Sequence, residues 1–301
     1  MSRKAPGGVK DLARKMDCRI RSCLSGRHPG LNLNVGVKNP KQAHGIPPQR
    51  LKVTGDISKI VCISDTHCMH RALTNDIPVG DILIHAGDFT RYGTLSDAED
   101  FNHWLGELPH KIKIVILGNH ESSSSWNLRA SQVISNAVFL RNSSLILERD
   151  TGIPPIHIYG TDFYWPSKDG NNAYGLIPAD TNILLSHGPP KCDVDGAHGC
   201  PSLRKAIDEK LHKCNLFVCG HIHYAHGVSL EKKLKQTVMT PAKHAVNGAD
   251  NQPRKDMTSP TTLYINAACA GHHRELKYPS ILIHCTTSEA GTLTFSPSSA
   301  K

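Results

Sequence analysis

The sequence predicts an α/β fold whose sheet is at least partly parallel. Three observations carry this. Short, β-branched apolar runs recur along the chain, Gly, Asp and Asn bound them, and helical patterns lie between several of them. Runs this short with such boundaries read as buried strands. Strands alternating with helices build an α/β architecture.

The strands are read in order as KIVCIS at 59–64, DILIHAG at 81–87, KIVILG at 113–118, IHIYG at 156–160, NILLSHG at 182–188 and LFVCGH at 216–221. TTLYINAA at 261–268 and SILIHC at 280–285 complete the series. Between the second and third runs, LSDAEDFNHWLGEL at 95–108 sets Leu95, Ala98, Phe101, Leu105 and Leu108 on one face at helical spacing. Before the sixth run, CPSLRKAIDEKLHK at 200–213 offers Pro201 for a first turn, with Leu203, Ile207 and Leu211 four apart.

Charge divides the chain. Residues 1–55 hold twelve Lys and Arg against two Asp, a net +10, so the remaining residues sum to −1 within a formal charge of +9. The first 55 residues are also rich in Gly and Pro and show no sustained period, which predicts a basic, disordered arm. A basic arm can engage nucleic acid or an acidic surface. This one lacks the aromatic interleaving of a single-strand binder, so a solvated extension is expected. Residues 56–301 form the expected domain, interrupted at about 231–260 by a polar, basic insertion. The insertion starts a few residues after His223, where it could lie over the mouth of a site. No apolar run reaches bilayer length, and no apolar stretch succeeds the N-terminal charges. The ten cysteines are scattered, with no C-x-x-C pair. A reducing, cytoplasmic location is therefore expected. Organelle targeting by residues 10–24 is opposed by Asp11 and Asp17.

The informative feature is the set of residues just past the strand ends. The first run leads into Asp65-Thr66-His67, the second into Asp88, the third into Asn119-His120-Glu121, the fifth into His187-Gly188 and the sixth into His221-Ile222-His223. In open α/β sheets the carboxyl ends of strands are where ligands bind. A carboxylate, an amide oxygen and imidazoles without thiolate suit manganese, iron or zinc. Two ions a few Å apart need an anionic bridge. Asp88 is the natural choice, because Gly87 allows the chain to turn sharply before it.

The series D-T-H, G-D, G-N-H-E, H-G and G-H-I-H resembles the calcineurin-like metallophosphoesterase superfamily. The strings CISDTH, ILIHAGDFT, FNHWLGELPHKIKIVILGNHE, SHGPP and LYINAA look most like its metallophosphoesterase-domain-containing branch. The likeness covers roughly residues 58–228 and 261–286. It implies a four-layer αββα sandwich with a dinuclear centre at the strand ends. Asp65, His67, Asp88 and His223 would hold one metal, and Asp88, Asn119, His187 and His221 the other. The ions would be divalent or mixed-valence Mn, Fe or Zn, with Mn favoured in vitro. His120 would reach the phosphate rather than a metal, stabilising charge or protonating the leaving group. Glu121 would orient an imidazole, and His85 would support the site as a buried donor. A hydroxide bridging the ions would attack phosphorus in line with the leaving group. The implied substrate is a small phosphate ester, a nucleotide-like diester such as a cyclic nucleotide. A phosphomonoesterase and a non-catalytic nucleotide-binding or scaffold protein are the rival readings.

Two departures bear on this. Phosphoprotein phosphatases carry G-D-x-V-D-R-G around the bridging aspartate, and the second Asp supports the catalytic His. Residues 87–93 read G-D-F-T-R-Y-G, so that support is missing. Some members of the nearer branch lack the first His of G-H-x-H, whereas His221 is present here. Elsewhere, His70, His103, His110 and His212 are read as surface residues and Cys68 and Cys192 as structural. Tyr164 and Trp165 are candidates for stacking on a nucleobase. His272 and His273 receive no role.

Overall fold

The computed structural model describes residues 47–165, 174–232, 261–271, 275–289 and 291–298. Its strands are β1 (Gln49–Lys52), β2 (Lys59–Ile63), β3 (Ile82–His85), β4 (Ile112–Val115), β5 (Val138–Phe139), β6 (Ser143–Glu148) and β7 (Ile156–Gly160). They continue with β8 (Ile183–Leu185), β9 (Leu216–Cys219), β10 (Gly227–Lys232), β11 (Thr261–Asn266), β12 (Ile281–Thr287) and β13 (Leu293–Pro297). The α-helices are α1 (Leu95–Glu107), α2 (Asn119–Ser122), α3 (Ala130–Val133) and α4 (Pro201–Lys210).

Successive side chains on a strand face opposite ways, and that alternation sets the layers. On β2, Ile60 and Cys62 join Ile82, Ile84 and Ile114 in a core shared with Leu145, Ile158, Leu185, Val218 and Ile265. This apolar layer lies between two sheets. The intervening residues Val61, Ile63, Leu83 and Val115 face the other way and pack with Phe101, Trp104 and Leu105 of α1. On the second sheet, Tyr159, Leu184, Phe217 and Tyr264 pack with Leu203 and Ile207 of α4. The result is the expected four-layer αββα sandwich. Full burial of each such side chain is worth about 1.5–3 kcal/mol.

One sheet runs β1-β6-β7-β8-β9-β11-β10 and the other β13-β12-β2-β3-β4-β5. β2, β3 and β4 are mutually parallel, as are β7, β8, β9 and β11. Each set therefore delivers its carboxyl ends to one side. The sheets are joined at that side by a parallel bridge between Ser64 and Ala268 and by Cys269 N–H donating to the Ser64 carbonyl at 2.8 Å.

Local chemistry fixes the helices. Thr94 caps α1, its hydroxyl accepting from Asp97 N–H at 3.2 Å, and α4 begins with proline. Residues 49–52, inside the stretch read as an arm, form β1 parallel to β6. Residues 231–232, at the start of the expected insertion, close β10. Residues 1–46 of the arm, residues 233–260 of the insertion, and His272 and His273 lie outside the described residues. Among the described residues no helix is long and apolar enough to cross a membrane.

Candidate metal centre

The site is built where five strand ends meet. β2 ends before Asp65 and His67, β3 before Asp88, β4 before Asn119, β8 before His187 and β9 before His221 and His223. Asp65, His67, Asp88 and His221 have φ of 54°, 42°, 57° and 68°. Left-handed backbone is unfavourable for residues with a side chain and persists where surrounding structure enforces it, commonly at functional sites. Here hydrogen bonds between the two loops enforce it. Asp65 N–H donates to the Gly87 carbonyl at 3.0 Å, and His67 N–H to the Asp88 carbonyl at 3.1 Å. His221 N–H donates to the Asp65 carboxylate at 3.0 Å.

These loops gather three groups of donor atoms, the atoms of each group lying within 4.8 Å of one another. The first is Asp65, His67 and His223; the second Asp88, His187 and His221; the third His67, Asp88 and His120. Asp65 Oδ1 lies 3.1 Å from His223 Nε2, which is 3.3 Å from His67 Nε2. His187 Nε2 lies 3.2 Å from both Asp88 Oδ2 and the Asn119 amide oxygen. Every residue expected as a ligand is thus in the cluster, and Asp88 belongs to two groups.

Three of the rings are tied to the main chain through Nδ1. Nδ1–H of His67 donates to the Thr90 carbonyl at 3.2 Å and that of His187 to Ala86 at 2.7 Å. Fixing the proton on Nδ1 leaves Nε2 as the ligating atom. Nδ1 of His120 is bonded in the same way to the Arg91 carbonyl, while Nε2 stands 3.7 Å from Asp88 Oδ2. The main chain at position 91 thus holds the His120 ring in place.

Glu121 differs from its expected role. Fully buried, it accepts from the N–H groups of Asp88 (3.0 Å), Gly118 (2.9 Å) and Thr90 (2.8 Å) and from the Thr90 hydroxyl (2.7 Å). No imidazole is among these partners, because the side chain turns back into the loop that carries Asp88. It clamps backbone rather than orienting a ring. Burial, and then the neighbouring Asp88 charge, push its carboxyl up to about 7. His85 is buried beside the cluster. It accepts from Gly87 N–H at Nδ1 (3.3 Å) and meets the Thr66 hydroxyl through Nε2 (3.0 Å), and burial holds it neutral, with its pKa down to about 3.

Close approach also requires glycine at two loops. A Cβ on Gly118 would lie 2.1 Å from Asp88 Oδ1, and one on Gly220 2.1 Å from Asp65 Oδ2. Gly87 has φ +98° and leaves no room for a side chain either.

Electrostatics agree with a cation site. Asp65 and Asp88 are 0% and 2% exposed. Burial raises both carboxyls, but His187 and His223 hold Asp65, and His187, His120 and His67 hold Asp88, below the usual carboxylate range. Burial opposes charge on His187, yet the two carboxylates outweigh it and raise the ring to about 9. His221 is pushed down to about 3 by burial and then by His187. Buried anions need positive charge beside them. A carboxylate, amide and imidazole set around two such anions fits divalent cations. His67, Asn119, His120, His221 and His223 are partly exposed, so the cluster opens to solvent on one side.

Other residues move from their expected places. His70 and His110 are buried, not on the surface. His70 is drawn in among Phe101 and Trp104 and pairs with Asp100 at 3.1 Å, and His110 bonds the Pro78 carbonyl. His103 and His212 are exposed. Cys68 accepts from Arg91 N–H, and the described cysteines are all free thiols. Trp165 is buried against Gly188, its ring 4.4 Å from that of His221, and the Tyr164 hydroxyl accepts from the Asn142 amide. Phe163, which carries no expectation from the sequence, lies beside His187 and His221. An aromatic run after a strand is the available signal; only packing decides which ring faces the site.

The family model for calcineurin-like phosphoesterases matches residues 58–225, the span that supplies every residue of the cluster. The chain belongs to that family, and its fold and buried Asp/His centre are those of a metal-dependent phosphoesterase. Within the family it falls with the metallophosphoesterase domain-containing proteins. It is 32% identical over 234 residues to the human protein metallophosphoesterase domain-containing protein 1, the match covering 65% of this chain and 71% of that one. A UPF0046 protein of Caenorhabditis elegans is 32% identical over 225 residues, covering 64% and 79%. A probable rhamnogalacturonate lyase C of Emericella nidulans is 39% identical over 196 residues, which is 59% of this chain but only 18% of the fungal protein.

Proposed function

We propose that the protein is a dinuclear phosphodiesterase acting on a small nucleotide-like diester. The observation that carries this reading is that the donor groups adjoin: Asp88 is common to the His187–His221 and the His67–His120 groups, and His67 links the latter to Asp65 and His223. Asp65, His67, Asp88 and His223 would hold one ion, and Asp88, Asn119, His187 and His221 the other. Ions held there would polarise phosphoryl oxygens and lower the pKa of water.

The chain itself does the rest. Glu121 fixes the Asp88 main chain against Gly118, so the shared carboxylate keeps one orientation. His120 is the second residue of α2, with its Nδ1 proton on the Arg91 carbonyl. Its Nε2 remains for the substrate, where it would meet a developing oxyanion or the leaving oxygen. The third donor group favours a second role for His120, as a ligand alongside His67 and Asp88. Metal counting on a His120→Ala variant separates the two.

The test of the whole reading is hydrolysis of bis-p-nitrophenyl phosphate beside p-nitrophenyl phosphate, using metal-stripped protein reloaded with manganese and Asp88→Asn in parallel. Metal-dependent turnover of the diester, lost in the variant, is expected. Cleavage of the monoester alone makes the protein a phosphomonoesterase. Metal binding with no turnover of either points to the binding or scaffold role.

A further inference from the structure

We propose that Phe163 forms a subsite beside the Asp88–His187–His221 group that stacks an aromatic ring of the substrate, a nucleobase in a nucleotide-like ester. The inference rests on the proposed phosphoesterase function and adds the part of the substrate that lies beyond the phosphate. The Phe163 ring centre is 5.5 Å from the centres of both the His187 and the His221 rings, inclined at 58° and 59°. It is half-buried, packed on one side against the apolar cluster around Tyr159 and Trp165 and standing at the edge of a site otherwise made of carboxylates, an amide and imidazoles. A phenyl ring brings no charge and no hydrogen bond to such a place. Its chemistry there is the π-face, which accepts any nucleobase.

The ring is also held in position. Asp162, just before it, pairs with Arg141 at 2.8 Å, receives Phe163 N–H at 3.0 Å, and donates its own N–H to the Asn142 amide oxygen at 2.9 Å. Two residues on, Trp165 is 6% exposed and wedged beneath Gly188. A platform fixed from both sides loses little freedom when a base settles on it. Tyr164 and Trp165 are spent elsewhere, the one on Asn142 and the other in packing.

The test is calorimetric binding of AMP and of ribose 5-phosphate to the manganese-loaded protein, with manganese content measured on every variant. The two ligands share a phosphate and a sugar and differ in the base. The wild type is expected to prefer AMP by about tenfold, the size of one base–aromatic stack. Phe163→Leu, which keeps apolar bulk, should bring AMP affinity to within about twofold of ribose 5-phosphate at wild-type manganese content. Phe163→Trp should keep the preference. Equal wild-type affinities overturn the subsite, as does a preference that survives in the leucine variant. If neither ligand binds while manganese does, the phosphoesterase reading fails and the subsite falls with it.

Discussion

At the scale of single residues, the centre divides into groups that hold charge and groups that hold those groups. Asp88 is of the first kind. Asp88→Asn is expected to reduce bound manganese and abolish turnover, measured by elemental analysis beside the diester assay. His120 is proposed to act on substrate, so His120→Ala should keep two metal equivalents while kcat falls by about a hundred- to ten-thousandfold. Loss of one equivalent would instead make it a ligand. Glu121 is of the second kind. In Glu121→Gln an amide NH2 group must face main-chain donors, which should cost about 1–3 kcal/mol of stability. Manganese affinity should fall by roughly ten- to a hundredfold, the usual effect of disturbing a ligand's support. Titrating the ion while following thermal unfolding reads both. The residues proposed to hold metal were legible because each comes after a strand and has metal-ligand chemistry. The clamp was not, since what Glu121 touches depends on how the Asp88 loop folds back over it. His70 and His110 were misplaced for a similar reason, since a neutral imidazole with one hydrogen bond is at home in a core.

At the scale of elements, the strands read from apolar runs are those with buried residues on both faces, such as β2, β3, β8 and β9. β1, β5, β10 and β13 escaped at sheet edges, where polar residues or short length replace the apolar run, and the interior β6 escaped although Leu145 and Leu147 are buried. Pairing, rather than composition, makes Gln49–Lys52 a strand. The loop after β4 gives a sharper test. Gly118 has an ordinary extended backbone, so its need for glycine is purely steric. Gly118→Ala should lose manganese binding and activity together while far-ultraviolet circular dichroism stays near the wild type. A fully active alanine variant would mean that the Asp88 loop adapts. Thr94→Ala, which removes the cap of α1, should lower stability by about 1 kcal/mol.

At the scale of the molecule, two sheets pack face to face and contribute Asp65, His67, Asp88 and Asn119 from one side and His187, His221 and His223 from the other. A ligand that binds only the folded chain stabilises it in proportion to the logarithm of its concentration, by about 2.7 kcal/mol at a hundred times the dissociation constant. Chelation should therefore lower the unfolding temperature, and readded manganese should restore it progressively. A temperature indifferent to manganese would mean that no ion is held at the junction. The bond from His221 to Asp65 joins residues 156 apart in the chain. A contact so distant requires the chain between the two residues to close on itself, at a cost in entropy. Manganese captured by a refolding chain would thus mark the moment the two halves meet. An ion-sensitive signal lagging behind the recovery of secondary structure would time that step directly.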